Sequence, residues 1–471
     1  MEKRKIKQDI CQWIDRNSDE FNDIADYIWQ EAELSMEEAN SSNRLAETLE
    51  TYGFTVERGV AGIDTAFIAT YGSGGPVIGL NSEYDSLPGL SQEVGAKKKA
   101  LIEGAPGHGC GHNLLGAAGV SAAIALKTAL EANGINATLK VFGAAAEELC
   151  ISKPFMAREG RFEGLDLFLD WHPWNYNRAD YDTCNAYFNI KYHFKGKTSH
   201  GNAPWYGRSA FDAAMLQGHA VEMLREHIRP SEAGLDAANT INYTFSDVGP
   251  IFPNVVPDRT TAWYIGRFDR TELMAEVLER IHKCAEAAAL ATETTVEAEM
   301  VTATHDKIPN TILAEVMHKN LEEIGAPQFT EEEHEFARKM QREMGVSETG
   351  LDEAILPFGG GGSALCDTSE YSWFVPYATA WIAAAPPGLG WHNWVVSACA
   401  GSSIGKKALN TAAKLIASTA IDAIASPEII ENAKKELEER LSTRTYIKLI
   451  PDGLAPPLRI NREAMDKYRK G

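Results

Sequence analysis

A short glycine-rich stretch places a cysteine and a histidine two residues apart. Cys110 and His112 lie in the segment 107–113 (GHGCGHN), and an apolar, helix-like run follows from residue 114 to 130. Glycine lets the backbone turn sharply and approach a ligand closely, and thiolate and imidazole ligands suit zinc. The stretch therefore indicates a metal site, although a glycine-rich turn with a buried cysteine and a hydrogen-bonded histidine fits the same residues.

Other titratable residues follow the ends of predicted strands. They are Asp85, Glu147, Glu148, His172 and His392. Taken singly, such a histidine is more often structural, and a Glu-Glu pair is usually a solvated loop. In open α/β sheets, however, ligands bind beyond the carboxyl ends of the strands. Side chains from several strand ends would then meet in one crevice, where so many carboxylates and imidazoles require a cation.

Alternating strand-like and helix-like segments predict an α/β fold with a mostly parallel sheet covered on both faces. The main predicted helices span residues 6–34, 41–52, 113–133, 312–325 and 403–424, and the main predicted strands span 55–58, 65–71, 76–81, 137–144 and 165–169. The polar clusters fall where these strands end.

A different pattern begins near residue 185. Segments from 186 to 301 read strand, helix, strand, strand, helix, strand, which is typical of a ferredoxin-like α+β module. The module looks inserted, because the α/β pattern resumes after Pro309. We therefore expect a first part of one domain at 1–184, an inserted domain at 185–304 and the second part of the first domain at 305–471.

Composition limits the choice of function. The 471 residues include 45 basic and 66 acidic side chains, a net charge of −21, which argues against nucleic acid or anionic membranes as partners.

No apolar segment follows the N-terminus as in a secretory signal, and the apolar run 114–126 is predicted to be too short to span a bilayer. Seven scattered cysteines indicate reduced thiols and a cytoplasmic protein. The glycine run 359–362 lacks a phosphate-loop lysine, which argues against nucleotide binding.

Together these motifs resemble the M20 metallopeptidase family, in its amidohydrolase branch. The resemblance extends over nearly the whole chain, and the segments that carry it are 82–85, 107–116, 147–148, 171–173, 196–213 and 387–394. It implies two divalent metal ions per subunit, zinc or manganese, with Cys110 as the bridging ligand. The remaining ligands that it implies are His112, Glu148, His172 and His392.

The resemblance also implies a reaction. The enzyme would cleave the amide bond of an N-acyl amino acid, in the first place a p-aminobenzoyl-glutamate-like aromatic amide. Glu147 would take a proton from the attacking water and return it to the leaving amine, and Asp85 would orient a site histidine. A dipeptidase, an aminopeptidase or a general N-acyl-amino-acid hydrolase is the alternative within this class. A non-catalytic binding protein on the same fold is the alternative of another class.

The inserted segment matches the lid and dimerisation domain of the family. A homodimer through this domain, or a homologous partner subunit, is therefore expected. His200 would reach the neighbouring subunit's active site, while Asn254 and Arg267 would hold a substrate carboxylate. In the simpler alternatives, His200 caps a turn and Arg267 pairs with Asp269. Four aromatic residues could form an acyl pocket or only pack the fold, namely Trp174, Trp205, Tyr206 and Trp391.

Two positions depart from the pattern of the branch. Many relatives have an aspartate where this chain has Asn113, and many have an acidic pair in the region of Glu370. Neither change removes an implied ligand. We expect Asn113 to be the position at which the metal preference departs from the wider family.

Overall fold

Two β-sheets organise the chain in the computed structural model, which describes residues 2–232, 239–362 and 365–469. The strands are β1 (Thr55–Arg58), β2 (Phe67–Gly72), β3 (Val77–Glu83), β4 (Thr138–Ala144), β5 (Leu167–Trp174), β6 (Arg178–Asp180), β7 (Ala186–Lys195), β8 (Thr240–Gly249), β9 (Arg259–Phe268), β10 (Thr295–Thr304) and β11 (Tyr377–Ala383). The larger sheet has the order β1-β2-β4-β3-β5-β11-β6, and the smaller sheet has the order β10-β7-β9-β8.

Helices cover these sheets. They are α1 (Glu2–Arg16), α2 (Ser18–Glu31), α3 (Ala39–Thr51), α4 (His112–Asn133), α5 (Ser152–Arg158), α6 (Ala210–Leu224), α7 (Thr271–Thr292), α8 (Thr311–Ile324), α9 (Glu331–Glu343), α10 (Ser369–Ser372), α11 (Trp394–Ala400), α12 (Ser403–Ala425), α13 (Pro427–Leu441) and α14 (Arg462–Met465). A mixed α/β architecture is therefore confirmed.

The larger sheet is parallel only at its centre. Strands β4, β3, β5 and β11 pair in parallel, while β1 with β2, β2 with β4 and β11 with β6 pair antiparallel. Two parallel strands need a crossover of a dozen or more residues between them. The links from β1 to β2 and from β5 to β6 are shorter than this, so β1 and β2 run in opposite directions, and so do β5 and β6. The expectation of a mostly parallel sheet thus fits the four central strands and is wrong for the outer ones.

The first helical segment differs from the prediction over residues 6–34. Two helices, α1 and α2, meet at Asn17, whose side-chain amide donates to the carbonyl of Trp13 at 2.7 Å. Asparagine competes in this way with helical backbone bonds. The second helix ends at Ala32, which has a left-handed conformation (φ 40°).

Helix α4 is the core helix of the larger sheet, and it packs directly against β3. A Cβ at Gly119 would lie 2.1 Å from the carbonyl oxygen of Asn81, and one at Gly116 would lie 2.5 Å from that of Glu83. By length and composition this 22-residue helix could cross a membrane, and 89% of its most apolar window is buried. The prediction that this apolar run is too short to span a bilayer is therefore wrong on length and composition, but the burial of the helix is that of a core helix.

The smaller sheet is built from the segment 186–304. In chain order it contains β7, α6, β8, β9, α7 and β10, and all its neighbouring strands are antiparallel. Its first and third strands lie in the middle, with β8 and β10 at the edges. Both helices pack against the strands of this sheet.

Candidate metal centre

The carboxyl ends of the four central strands carry the predicted site residues. Asp85 follows β3, Glu147 and Glu148 form a 3-10 turn after β4, and His172 lies near the end of β5. His112 is the first residue of α4, and His392 lies in the loop between β11 and α11. The glycine between Cys110 and His112 has a φ of 81°, a conformation that glycine adopts without strain.

Two groups of metal-binding atoms share one thiol. Cys110, His112 and His172 form the first group, and Cys110, Glu148 and His392 form the second. Within each group the ligand atoms lie within 4.8 Å of one another. A soft thiol common to two imidazole-containing groups suits two neighbouring divalent ions such as zinc.

The orientation of His112 leaves one nitrogen for a metal. Its Nδ1 lies 2.8 Å from Oδ1 of Asp85, and its Nε2 is buried without a hydrogen-bond partner among the described residues. Asp85 is itself fixed, because its Oδ2 accepts from Ser35 at 2.7 Å and from the Glu148 backbone N–H at 3.0 Å. In neutral His112 the proton therefore lies on Nδ1, and the lone pair of Nε2 faces the site.

His172 and Glu148 also direct electron-pair donor atoms towards the site. The Nδ1–H of His172 donates to the carbonyl of Pro173 at 2.7 Å, which turns Nε2 to within 3.5 Å of the Cys110 sulfur. Glu148 Oε1 is buried without a hydrogen-bond partner in the part of the chain that the structure describes, and Oε2 lies 3.4 Å from Nε2 of His392. These electron-pair donors fit a cation between them.

Glu147 lies beside the two groups. Its Oε2 is 3.7 Å from Nε2 of His112. Burial, together with the negative charge of Glu83, raises the pKa of Glu147 well above the usual glutamate value. A carboxylate with a raised pKa holds a proton more readily, as a group that accepts and returns a proton requires.

Burial favours the protonated forms of two candidate ligands. Burial, more than the charge of Asp85, raises the pKa of Glu148 to about 7 against the lowering effect of His112. Burial also raises the pKa of the Cys110 thiol, and the charge of Glu148 adds to this effect. Metal ligands bind as thiolate and carboxylate, so an incoming ion must displace these protons.

The site opens into a cavity of about 1070 Å³. Three tryptophans line it next to His172, namely Trp174, Trp381 and Trp391. The ring centroid of Trp174 lies 4.6 Å from that of Trp391 and 5.2 Å from that of Trp381. Trp205 and Tyr206, the other two candidates for an acyl pocket, do not line this cavity and are 66% and 67% exposed.

Four arginines line the same cavity, namely Arg267, Arg270, Arg440 and Arg444. Arg267 lies with its guanidinium carbon 5.7 Å from the ring centroid of Tyr187. Within the described ranges, neither Arg267 nor Arg270 has an ion-pair partner within 4 Å. The simpler alternative, in which Arg267 pairs with Asp269, is not what the structure shows.

His200 and Asn254 lie together but outside this cavity. The Nδ2 of Asn254 lies 3.5 Å from Nε2 of His200, and His200 Nδ1 accepts from the backbone N–H of Asn202 at 3.2 Å. Neither residue lines the cavity of its own chain. Within one chain, His200 therefore stabilises a turn, as the simpler alternative expected.

The two departures from the family pattern do not reach the centre. Asn113 donates to the carbonyls of Ala25 and Ala400 at 3.2 and 3.1 Å, so its side chain joins helices. Glu370 binds His305, whose Nδ1 lies 2.8 Å from Oε1 of Glu370. The structure thus gives no support for Asn113 as the position that sets metal preference.

Sequence reasoning missed a buried charge cluster behind the site. Glu83 belongs to the motif 82–85, but its residue type alone assigns it no role there, and Lys153 and Asp367 lie outside the predicted motifs. Lys153 is fully buried and pairs with both acids. These residues are far apart in sequence, so the one signal was a lysine directly before the apolar residues 154–157 (PFMA).

Comparison with known proteins agrees with this geometry. Residues 185–293 match the model of the peptidase dimerisation domain of the M20 family. The chain is 34% identical to a subunit of p-aminobenzoyl-glutamate hydrolase from Escherichia coli (strain K12), over 96% of this chain and 99% of that protein. It is 28% identical to Xaa-Arg dipeptidase of Mus musculus, over 93% of each chain.

A solved structure shares the fold. It is a dinuclear metal-binding peptidase of the M20 family from Bacillus subtilis, with a TM-score of 0.53 and 15% identity over 88% of this chain and 99% of that chain. At this identity the likeness concerns the fold alone. Full-length identity to the Escherichia coli relative decides the relationship, and the chain belongs to the M20 metallopeptidase family.

Proposed function

We propose that this chain is a metal-dependent amidohydrolase that cleaves an N-acyl amino acid of the p-aminobenzoyl-glutamate type. The observation that carries the proposal is the pair of ligand groups that share Cys110, with Glu147 beside them. The five ligands would be Cys110, His112, Glu148, His172 and His392. Two bound divalent ions, zinc or manganese, would polarise the scissile carbonyl and activate water.

The chain's own residues would move the protons. Glu147 would take a proton from the attacking water and later give it to the leaving amine. Asp85 would hold the Nδ1–H of His112, so that the imidazole keeps one orientation throughout. The tryptophans beside His172 would exclude bulk water from this end of the cavity.

The cavity favours an aromatic acyl group and an acidic amino acid. Trp174, Trp381 and Trp391 offer flat apolar surfaces next to the candidate ligands, and aromatic rings pack well against such surfaces. Arg267 can bind a carboxylate in bidentate fashion, and Arg270 adds a second positive charge. The name of the Escherichia coli relative describes an aromatic acyl group on glutamate, which matches both features.

The smaller sheet would act as the lid and dimerisation domain. We place its boundaries at 185–304, between catalytic segments 1–184 and 305–471, and its strand and helix order corresponds to a ferredoxin-like module. Since His200 and Asn254 lie outside the cavity of their own chain, they would serve the site of a second protomer. That protomer would be a second copy of this chain, or a homologous chain, since the Escherichia coli relative is named as one subunit of its enzyme.

A dipeptidase is the second candidate, favoured by the identity to Xaa-Arg dipeptidase. A substrate ending in arginine would, however, bring its positive charge towards Arg267 and Arg270. A non-catalytic role is disfavoured because a protein without chemistry has no need to retain five convergent ligands and Glu147.

A hydrolysis screen tests this proposal. The purified protein would be given p-aminobenzoyl-glutamate, benzoyl-glycine, acetyl-glutamate and an Xaa-Arg dipeptide, each with added Mn²⁺, Zn²⁺ or Co²⁺. We expect cleavage of p-aminobenzoyl-glutamate to have the highest kcat/KM. A higher kcat/KM for the Xaa-Arg dipeptide would select the second candidate, and absence of all cleavage by the metal-loaded protein would reject both.

A further inference from the structure

A buried lysine lies directly behind the candidate metal centre. Lys153, near the start of α5, is fully buried. Its Nζ lies 2.8 Å from Oε1 of Glu83 and 2.5 Å from Oδ1 of Asp367. Burying three charges is expensive, and such a cluster is a weak source of stability. One member, Glu83, is the last residue of β3 and lies beside the candidate ligand His112, so the cluster contacts the candidate metal centre.

The lysine fixes one oxygen of Glu83. Oε1 of Glu83 accepts from Lys153 and also from the side-chain amide of Asn81 at 2.8 Å. The other oxygen, Oε2, lies 3.6 Å from Nε2 of His112. The carboxylate can therefore not rotate freely, and its second oxygen is turned towards the histidine.

When His112 is neutral, its Nε2 and Oε2 of Glu83 cannot form a hydrogen bond with each other. Asp85 holds the proton of that imidazole on Nδ1, so Nε2 presents a lone pair, and Oε2 of Glu83 is also an acceptor. Two such buried acceptors need a proton or a cation between them, and a divalent ion bound to Nε2 can take the place of that proton. Glu83, His112 and Glu147 in fact offer a third group of ligand atoms within 4.8 Å of one another.

We propose that Lys153 is a positioning residue that presents Glu83 as an additional oxygen ligand to the ion on His112. This inference rests on the proposed function for the presence of that ion. It adds a hard oxygen donor to a set that contains a thiolate. Because carboxylate ligands suit manganese and thiolate ligands suit zinc, Glu83 would shift the preference of the centre towards Mn²⁺.

Metal binding to the full-length purified protein tests the inference without any assay of turnover. Equilibrium dialysis with Mn²⁺ alone and with Zn²⁺ alone would compare the wild type with Glu83→Gln, which keeps the side-chain length and removes the charge. Lys153→Met would remove the positioning group. Lys307→Met is the matched control, because Lys307 is also a buried lysine that pairs with an acid, Asp182, at 3.3 Å.

We expect Glu83→Gln to weaken Mn²⁺ binding by about tenfold or more and Zn²⁺ binding less. Lys153→Met should repeat this pattern, and Lys307→Met should bind both ions like the wild type. Wild-type affinity of Glu83→Gln for both ions, or a loss of Zn²⁺ as great as that of Mn²⁺, would overturn the inference. If Lys153→Met does not fold, Glu83→Gln alone decides. A wild-type protein that binds no divalent ion would instead overturn the proposed function.

Discussion

At the scale of single residues, Glu147 has the position and the environment of a proton carrier. It lies 3.7 Å from the metal-facing nitrogen of His112 and takes part in neither of the two groups that share Cys110. Replacing it by glutamine should leave metal binding intact while removing the group that accepts the proton of water. The role of Glu147 can thus be separated from that of its neighbour Glu148.

We predict that Glu147→Gln lowers kcat by about 10²- to 10⁴-fold and that the protein still binds metal as the wild type does. Steady-state kinetics and metal analysis of the same preparation measure both. Glu148→Gln is the matched control, because the neighbouring change should reduce the metal content. Near-normal turnover in Glu147→Gln would reject the assignment.

Metal affinity should depend on pH in a defined direction. The pKa of Glu148 in the metal-free protein is raised to about 7 by burial, so this group is protonated below that pH and must lose its proton to bind an ion. The buried thiol of Cys110 also has a raised pKa. Binding therefore becomes tighter as pH rises, by about tenfold per pH unit for each proton released.

Calorimetric titration with Mn²⁺ in buffers of different ionisation enthalpy would measure both the affinity and the protons released. We expect weaker binding at about pH 6 than at about pH 8, with proton release at both. An affinity that stays constant between these values, without proton release, would mean that the ligands are already ionised in the metal-free protein.

Residue types predicted which side chains converge, but not the contacts that hold them in place. The sequence contains the motifs with Cys110, His112 and His172, and their chemistry points to a metal. The contacts of Asn113 with two helix carbonyls and of Lys153 with Glu83 join positions remote in sequence. No periodicity or spacing encodes such pairs, so the sequence alone reveals neither the helix-joining contacts of Asn113 nor the pairing of Lys153 with Glu83.

At the scale of elements, the close contact of α4 with β3 positions the site. The helix carries His112 at its first residue, and β3 ends at Glu83. Glycines allow the two backbones to approach, since a Cβ at Gly119 would come within 2.1 Å of the carbonyl oxygen of Asn81. A larger residue there must push the helix away from the strand.

We predict that Gly119→Ala lowers the free energy of unfolding by about 1–3 kcal/mol and weakens metal binding, because His112 moves with the helix. Thermal unfolding with and without Mn²⁺ measures the two effects. Gly95→Ala is the control, as a Cβ there meets no atom within 4 Å. Equal stability of the two variants would show that the helix does not need this close approach.

Long elements with a clear apolar pattern were predictable, and short or connecting ones were not. Helix α4 and strands β3 and β4 lie close to their predicted positions. Strand β6 has three residues, and β11 follows an irregular segment, so both lack a clear local signal and were missed. The direction of the outer strands depends on the length of their connections, which the pattern of apolar residues does not report.

At the scale of the whole molecule, exposed apolar side chains concentrate on the inserted segment. They include Trp205, Tyr206, Met215, Leu216, Met223, Ile251 and Phe252. Such surfaces often mark protein–protein interfaces, and this segment contains the match to the peptidase dimerisation domain. If His200 and Asn254 serve a second protomer, dimerisation and activity must be linked.

We predict that the wild type is a dimer in sedimentation velocity and that Met223→Glu or Ile251→Glu shifts it towards monomer and lowers activity. These side chains are 71% and 89% exposed in the single chain. Leu101→Glu is the control, at a side chain that is 55% exposed and lies outside the inserted segment. A wild-type monomer with full activity would contradict a contribution from a second protomer.

Activity measured against added metal tests the two-ion centre most directly. The protein would be freed of metal by a chelator and titrated with Mn²⁺, while the release of p-aminobenzoate from p-aminobenzoyl-glutamate is followed. We predict no activity without metal and a rise that ends at two equivalents per chain. Cleavage by the metal-free protein, or saturation at one equivalent, would contradict a two-ion centre held by the two groups that share Cys110.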